Sequence, residues 1–240
     1  MGLANMNVKL LDVTQDPVRL IYAACRQCYS ADFGGDIFET EHPDNETMES
    51  FVRKIVCSGH ESPLEHVKFS FAIEGVSRAL THQLVRHRIA SYSQQSQRYV
   101  KETDFDYVMP PSIAGDEVLE HEFLGIMEKI QASYNRMLAH FKAKGKSGEK
   151  VNQDIRFVLP QAVETKIIVT MNCRELRHFF RLRCCARSQW EIRALADRML
   201  AICYQELPSV FGGTGAKCVE LEYCPEEEKF SCGKYPLKGK

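Results

Sequence analysis

From Val67 to Glu74 the chain alternates without a break. Val67, Phe69, Phe71 and Ile73 take one parity, and Lys68, Ser70, Ala72 and Glu74 the other. A period of two is the signature of an extended strand with one face buried and the other wet. That points to an antiparallel sheet covered on one side. Lys166 to Met171, β-branched and apolar, supplies a second strand. Around these two the sequence is helical. Asp16-Pro17 opens a helix through about Cys28, with Pro at its first position. Residues 44–58 set Met48, Phe51, Val52 and Ile55 on one face and stop at Gly59. Ser62-Pro63-Leu64-Glu65 has the form of a capping box at the start of a short helical turn. Residues 77–87 read as a helix, with Leu80 and Leu84 one turn apart. Ala90 to Arg98 is polar and reads as a loop. Residues 116–143 carry Leu119, Phe123, Ile126, Met127, Ile130, Tyr134, Met137 and Phe141 at the spacing of a long amphipathic helix. Residues 149–158 form a shorter helix stopped by Pro160. Asn172 with Glu175 caps another, and Trp190, Ile192, Leu195, Ala196, Met199 and Cys203 mark a last one. No strand, glycine-rich turn and helix occur in the order a dinucleotide-binding unit requires. The expected fold is α+β, a single domain over residues 1–211 with helices packed around a small, mostly antiparallel sheet. A cysteine-containing tail, 212–240, follows it.

The net charge of −1 over 240 residues exerts no general pull toward nucleic acid or membrane. The distribution of arginine says more. Of 16 arginines, four fall between Arg78 and Arg98 and seven between Arg156 and Arg193. Guanidinium is planar, always charged and suited to forked contacts with phosphate and carboxylate. The two stretches therefore suggest one composite anion site. The N-terminus has no basic start followed by an apolar run, so it does not read as a signal peptide. No window approaches the ~20 apolar residues of a membrane span. The expected compartment is the cytoplasm, where the ten cysteines would be mostly reduced thiols.

The densest chemistry lies in Arg86-His87-Arg88-Ile89-Ala90-Ser91-Tyr92-Ser93-Gln94-Gln95-Ser96-Gln97-Arg98. Three arginines, one histidine, three serines and three glutamines share 13 residues. Such a segment offers charge-assisted donors for phosphate and amide and hydroxyl groups for a base. Equally, it is the composition of a solvated loop beside a basic helix end. The motif decides. Arg86-His87-Arg88, seven residues and Ser96, followed by Gln97-Arg98-Tyr99, resembles the motif of the flavin-dependent thymidylate synthases. His60-Glu61-Ser62-Pro63-Leu64-Glu65-His66 resembles a block of that family upstream. Downstream, so do Arg156 to Pro160, Asn172-Cys173-Arg174, Arg183 and Gln189-Trp190-Glu191-Ile192. The blocks stand in the family's order across roughly residues 16–205.

The resemblance implies a fold, a reaction and a set of residues. The reaction is methylation of dUMP to dTMP, with FAD as cofactor, NADPH as reductant and 5,10-methylenetetrahydrofolate as carbon donor. The implied flavin contacts are Ser62, Arg86, His87, Arg88, Gln94, Asn172, Arg174 and His178. The implied dUMP contacts are Gln83, Arg86, Gln94, Gln95, Ser96, Gln97, Arg98, Arg156 and Arg183. His60 matches a histidine near the flavin and nucleotide rings, and with Arg183 and Ser96 it makes up the candidate catalytic set. Carbon 5 of uracil is a poor nucleophile, and a prepositioned cation at N3 and O2 would stabilise its enolate-like form; Arg183 is the candidate for that cation. Ser96 has no partnered base in view, so it reads as a hydrogen-bond donor rather than a nucleophile. The family's sites draw on several subunits, which implies a homotetramer.

Other readings of the same residues lead elsewhere. His60, His66, His82 and His87 lack the i, i+4 spacing of a helical zinc pair, and no metal is expected there. Cys25-x-x-Cys28 sits at a helix end rather than after a thioredoxin-type strand, so it reads as two thiols. Gly212-Gly213-Thr214-Gly215 reads as a turn. The tail is either a mostly disordered extension or a zinc site made by Cys218, Cys224 and Cys232 with a ligand from elsewhere. A nucleic-acid-binding module built on the arginines is the alternative function, against which stand the neutral net charge, the absence of a helix-turn-helix or zinc-finger spacing and the small number of aromatics interleaved with the arginines.

Overall fold

A computed structural model describes residues 1–40 and 42–239; Glu41, and Lys240 at the end of the 212–240 tail, lie outside the described residues. In chain order the elements are β1 (Asn7–Val13), α1 (Pro17–Gln27), α2 (Gly34–Glu39), α3 (Asn45–Cys57), β2 (Lys68–Ser77), α4 (Arg78–Leu84), β3 (Ala90–Gln94), α5 (Pro111–Ala114), α6 (Glu117–Ala143), α7 (Glu149–Ile155), β4 (Glu164–Asn172), α8 (Cys173–Arg183), α9 (Trp190–Glu206), α10 (Pro208–Phe211) and α11 (Lys217–Leu221). The strands form one sheet in the order β1-β2-β4-β3. At one end of the β1–β2 pair Thr14 N donates to Lys68 O at 3.1 Å, and at the other Asn7 Nδ2 donates to Glu74 Oε1 at 2.9 Å. Between β2 and β4, Ser70 Oγ lies 2.8 Å from Thr170 Oγ1, and Gly75 N donates to Glu164 Oε1 at 2.8 Å. Both pairs are therefore antiparallel, and the class is the α+β one expected. The alternation in β2 is realised: Val67, Phe69, Phe71 and Ile73 are buried, while Lys68 and Glu74 are exposed.

Three expectations need correction. Residues 90–98 do not form a loop throughout, because Ala90–Gln94 is the edge strand β3. Its less exposed positions are Ala90, Tyr92 and Gln94, so no strongly apolar alternation announced it. Gln94 faces in, and its Nε2 donates to Thr81 Oγ1 at 3.0 Å and Thr165 Oγ1 at 3.3 Å. Ser62 caps nothing: residues Ser62–His66 form a 3-10 turn that follows Glu61, and the Ser62 hydroxyl lies 3.2 Å from His60 Nε2. The helix expected over 77–87 is shorter, capped by the Ser77 hydroxyl at Leu80 N and ending at Leu84.

The described residues fall into two compact units. The first comprises Met1–Asn7, Ile73–Val85 and Ser93–Ile168. Its long helix α6 starts where Asp116 accepts hydrogen bonds from Val118 N and Leu119 N. Met127 of α6 packs with Phe105, Tyr107, Met109 and Val163, and Tyr134 with Val151 and Ile155. Gly75 holds φ at +67° in this unit, and a Cβ there would lie 1.9 Å from Asn5 O. Only glycine admits so close a backbone approach in that conformation.

The second comprises Val8–Ala72, Arg86–Tyr92 and the chain from Val169 on. Here α1 packs on α2 and α3, α8 on α9 and the 62–66 turn, and α10 on α3 and α9. Phe211 of α10 meets Phe69 edge-on at 5.8 Å and Phe180 at 6.0 Å. Arg177 is buried in this unit and uses every part of its guanidinium. Its Nε donates to Glu61 Oε1 at 3.0 Å, Nη1 to Val210 O at 2.8 Å and Thr214 Oγ1 at 2.6 Å, and Nη2 to Glu220 Oε1 at 3.1 Å. Arg181 bonds to the same two carboxylates at 2.7 Å. Segments of the tail are thereby folded onto α8, in place of the mostly disordered extension considered from sequence. Burial works to raise the Glu61 carboxyl, but hydrogen bonds from Arg181 and Arg177 outweigh it and hold it below its usual range.

Two outcomes follow for stability. Gly75→Ala is expected to cost about 2 kcal/mol or more, read as a lowered midpoint in thermal unfolding; an unchanged midpoint would contradict the close approach of Asn5. Arg177→Met removes one of the two cations that Glu61 and Glu220 share, leaving Arg181 alone between them, and is expected to cost on the order of 3 kcal/mol in urea unfolding. Because Glu61 is held low in the folded state, its share of stability is present above the unfolded carboxylate pKa. It is lost as pH falls through the folded value, so the variant should lose less than the parent over that acid range.

Candidate functional site

Helix α8 begins where Asn172 Oδ1 accepts from Glu175 N at 2.8 Å. The cap read from sequence is therefore present, but the Glu175 side chain does not turn back to complete it. The carboxylate reaches His87 instead, with Oε1 3.2 Å from Nδ1. Positions 175, 179 and 183 are spaced i, i+4 and i+8, so they form one stripe along the helix. His87 lies on that stripe. It bonds to Glu175 at one end, meets Phe179 edge-on at 4.9 Å, and accepts from Arg183 Nε at 3.1 Å through Nε2 at the other. Because Nε2 accepts, the ring carries its proton on Nδ1 and donates it to Glu175. Burial, then the charge of Arg183 and the neighbouring His178, push the His87 pKa down to about 4. The ring is neutral near pH 7. Burial likewise raises the Glu175 carboxyl, opposed by His178. The Tyr92 hydroxyl fixes the backbone of the same residue by donating to His87 O at 2.8 Å. Both terminal nitrogens of Arg183 are left without a protein acceptor among the described residues.

The other expected flavin contacts of this unit lie near α8 or at the surface. His178 is exposed one turn along the helix, its ring 6.2 Å from that of His87. Arg174 is exposed and paired with Glu65. Arg86 and Arg88 are exposed, with no carboxylate partner among the described residues. His60 and Ser62 bond to each other beside Tyr29, an exposed ring 6.3 Å from His60 that sequence reading passed over. A lone tyrosine at a helix end carried no signal.

The remaining candidates belong to the first unit. Gln95 is tied by its backbone, N donating to Lys166 O at 2.9 Å and O accepting from Arg78 Nη1 at 3.4 Å. Ser96 Oγ accepts from Arg98 N at 3.2 Å. Gln97 is buried, Gln83 is half-buried, and Arg98 is paired with Glu149. Arg98 O accepts from Asn152 Nδ2 at 2.9 Å. Arg78 is an addition to the sequence reading. Burial and then the charge of Arg156 depress its pKa, opposed by Glu102. The signal was its place in an arginine-rich stretch.

Pairing sorts the arginines. Arg174, Arg177, Arg181 and Arg187 meet Glu65, Glu61, Glu220 and Glu226. Four of the seven in the second stretch are thus neutralised internally, and the composite anion site inferred from composition shrinks accordingly. Arg183, held by an imidazole, keeps its charge. Among the described residues all cysteines are free thiols, with Cys25, Cys173 and Cys203 buried and pushed up by that burial. Among the described residues no three histidine, cysteine or acidic groups are arranged to hold a metal ion. No helix among them is long and apolar enough to cross a membrane.

Residues 9–209 match the family model described as thymidylate synthase complementing protein. The chain is 55% identical over 234 residues to a flavin-dependent thymidylate synthase of Nitratidesulfovibrio vulgaris, with 96% of each chain covered. It is 45% identical to that of Clostridium tetani, covering 95% of this chain and 94% of the relative. With that of Pyrococcus abyssi the identity is 42%, covering 93% and 91%. A UMP/dUMP methylase from Streptomyces cacaoi, solved with 5-Br dUMP, superposes with a TM-score of 0.71 at 21% identity, covering 88% of this chain and 95% of that one; at that identity the likeness speaks for the fold alone. Full-length identity and the family match together place the chain in the flavin-dependent thymidylate synthase family.

Proposed function

We propose that the chain converts dUMP to dTMP by reductive methylation, with 5,10-methylenetetrahydrofolate as carbon donor and NADPH as reductant acting through FAD. The observation that carries this reading is 55% identity to a flavin-dependent thymidylate synthase across 96% of both chains. The donor set fits a flavin nucleotide: Arg86 and Arg88 stand exposed, without a carboxylate partner among the described residues, and Ser62 and His178 are exposed in the same unit. When bound, the flavin supplies the hydride, chemistry that belongs to the cofactor. The protein's part is to bind, orient and polarise. Arg183 presents two free terminal N–H groups to uracil O2 and N3, where negative charge grows as C5 becomes nucleophilic. His60 stands beside the rings. Arg156 and Arg98 bind the dUMP phosphate by forked hydrogen bonds, Arg98 exchanging its surface pairing with Glu149, which contributes little. Gln83, Gln94, Gln95, Ser96 and Gln97 line the nucleotide, with Gln94 also toward the flavin, and Asn172 and Arg174 complete the cofactor's contacts.

Assembly as a homotetramer in the cytoplasm, with sites at subunit interfaces, brings the contributing residues to one ligand. The nucleic-acid alternative finds no support: four of the seven arginines in its second stretch are paired with carboxylates. Purified protein incubated with FAD, NADPH, methylenetetrahydrofolate and dUMP is expected to form dTMP, with none formed when FAD is withheld from the apoprotein. Arg183→Ala is expected to lose at least about 100-fold in turnover. A flavin-loaded oligomer that forms no dTMP would overturn the assignment of the reaction.

A further inference from the structure

Arg183 differs from its neighbours in what holds it. Arg174, Arg177, Arg181 and Arg187 are held by carboxylates. Arg183 is held by a neutral imidazole, which itself leans on a buried carboxylate. A carboxylate partner would fix the guanidinium and cancel its charge. An imidazole fixes it and leaves the charge whole. The bond is made at Nε, so the fork formed by the two terminal nitrogens stays free and its plane is set. We propose that Glu175 and His87 are positioning residues that act through Arg183: Glu175 holds the Nδ1–H tautomer of His87, so that Nε2 can accept from Arg183 Nε and aim an uncancelled cation. The inference deepens the reading of Arg183 as the group that polarises uracil and rests on it.

The groups around His87 are consistent with this role. From α8 it meets Glu175, Phe179, His178 and Arg183, and from β3 the Tyr92 hydroxyl holds its carbonyl. Both ring nitrogens are engaged by protein groups, so His87 acts through Arg183. Glu175 is the residue that sequence reading used only as part of a helix cap.

The test uses the flavin-loaded holoenzyme and the variants Glu175→Leu, Glu175→Gln, Arg183→Ala and Glu175→Leu with Arg183→Ala. Turnover is measured with dUMP, and dUMP affinity by calorimetry. Glu175→Leu is expected to lower kcat about 10- to 100-fold with the flavin spectrum retained. Glu175→Gln, which keeps an acceptor for Nδ1–H, recovers most of that loss. The double variant binds dUMP no more weakly than Arg183→Ala alone, because the relay has nothing left to act on. Parental kcat in Glu175→Leu, or a double variant weakened by the product of both single effects, would overturn the relay. Parental turnover in Arg183→Ala would instead sink the role of Arg183 itself, so the two failures are distinct. A nitrogen-15 NMR measurement on the unmodified enzyme, with His87 assigned through His87→Gln, needs no Glu175 variant to fold. A proton on Nδ1 and none on Nε2 near pH 7 supports the relay; the opposite tautomer or a charged ring ends it.

Discussion

A guanidinium almost wholly buried organises the second unit. Arg177 is buried, and a buried charge is tolerated only where its donors are met. Meeting them takes a carboxylate before the 62–66 turn, a carbonyl at the end of α10, a hydroxyl in the glycine-rich turn and a carboxylate on α11. Four separate pieces of chain are therefore held to one turn of α8. The orientation of α8 follows from this. Its i, i+4 pair Arg177 and Arg181 takes the side of Glu61 and Glu220, and the stripe of Glu175, Phe179 and Arg183 is left for His87.

That division explains how one helix carries four ion-paired or buried polar residues and still presents a usable cation. Electrostatic stabilisation depends on charge that is fixed and not already spent on a counter-ion. On α8 the arginines Arg174, Arg177 and Arg181 meet carboxylates, and Arg183, the one proposed to face uracil, meets a ring.

The sequence made much of the fold legible, and what it missed has a physical cause. The helices with apolar stripes, α3 and α6 among them, were readable because burial imposes periodicity. Strand β2 was readable for the same reason. Strand β3 was not, because its inward residue Gln94 is satisfied by Thr81 and Thr165 rather than by apolar packing. Strand β1 gave no clear alternation and was overlooked. Among site residues, those in short motifs were found through likeness to a family, a likeness whose individual contacts stand as proposals. Glu175 and Arg78 were passed over because their significance is a matter of neighbours: a histidine 88 positions away for one, a second guanidinium for the other. Separations of that size leave no local trace.

The pairing of β2 with β4 also bears on how the chain comes into being. Ser70 and Thr170 meet across 100 positions of sequence. At ribosomal rates of about 5–20 residues per second, β2 leaves the ribosome several seconds before β4 exists. Throughout that interval Phe69 and Phe71 have neither β4 nor Phe211 to cover them. The nascent chain thus carries an apolar strand with one edge open, which β1 and the early helices alone must shelter. Closing the sheet is consequently a late event of synthesis, and slowing translation past Glu164 would lengthen the period in which that strand is open to other chains.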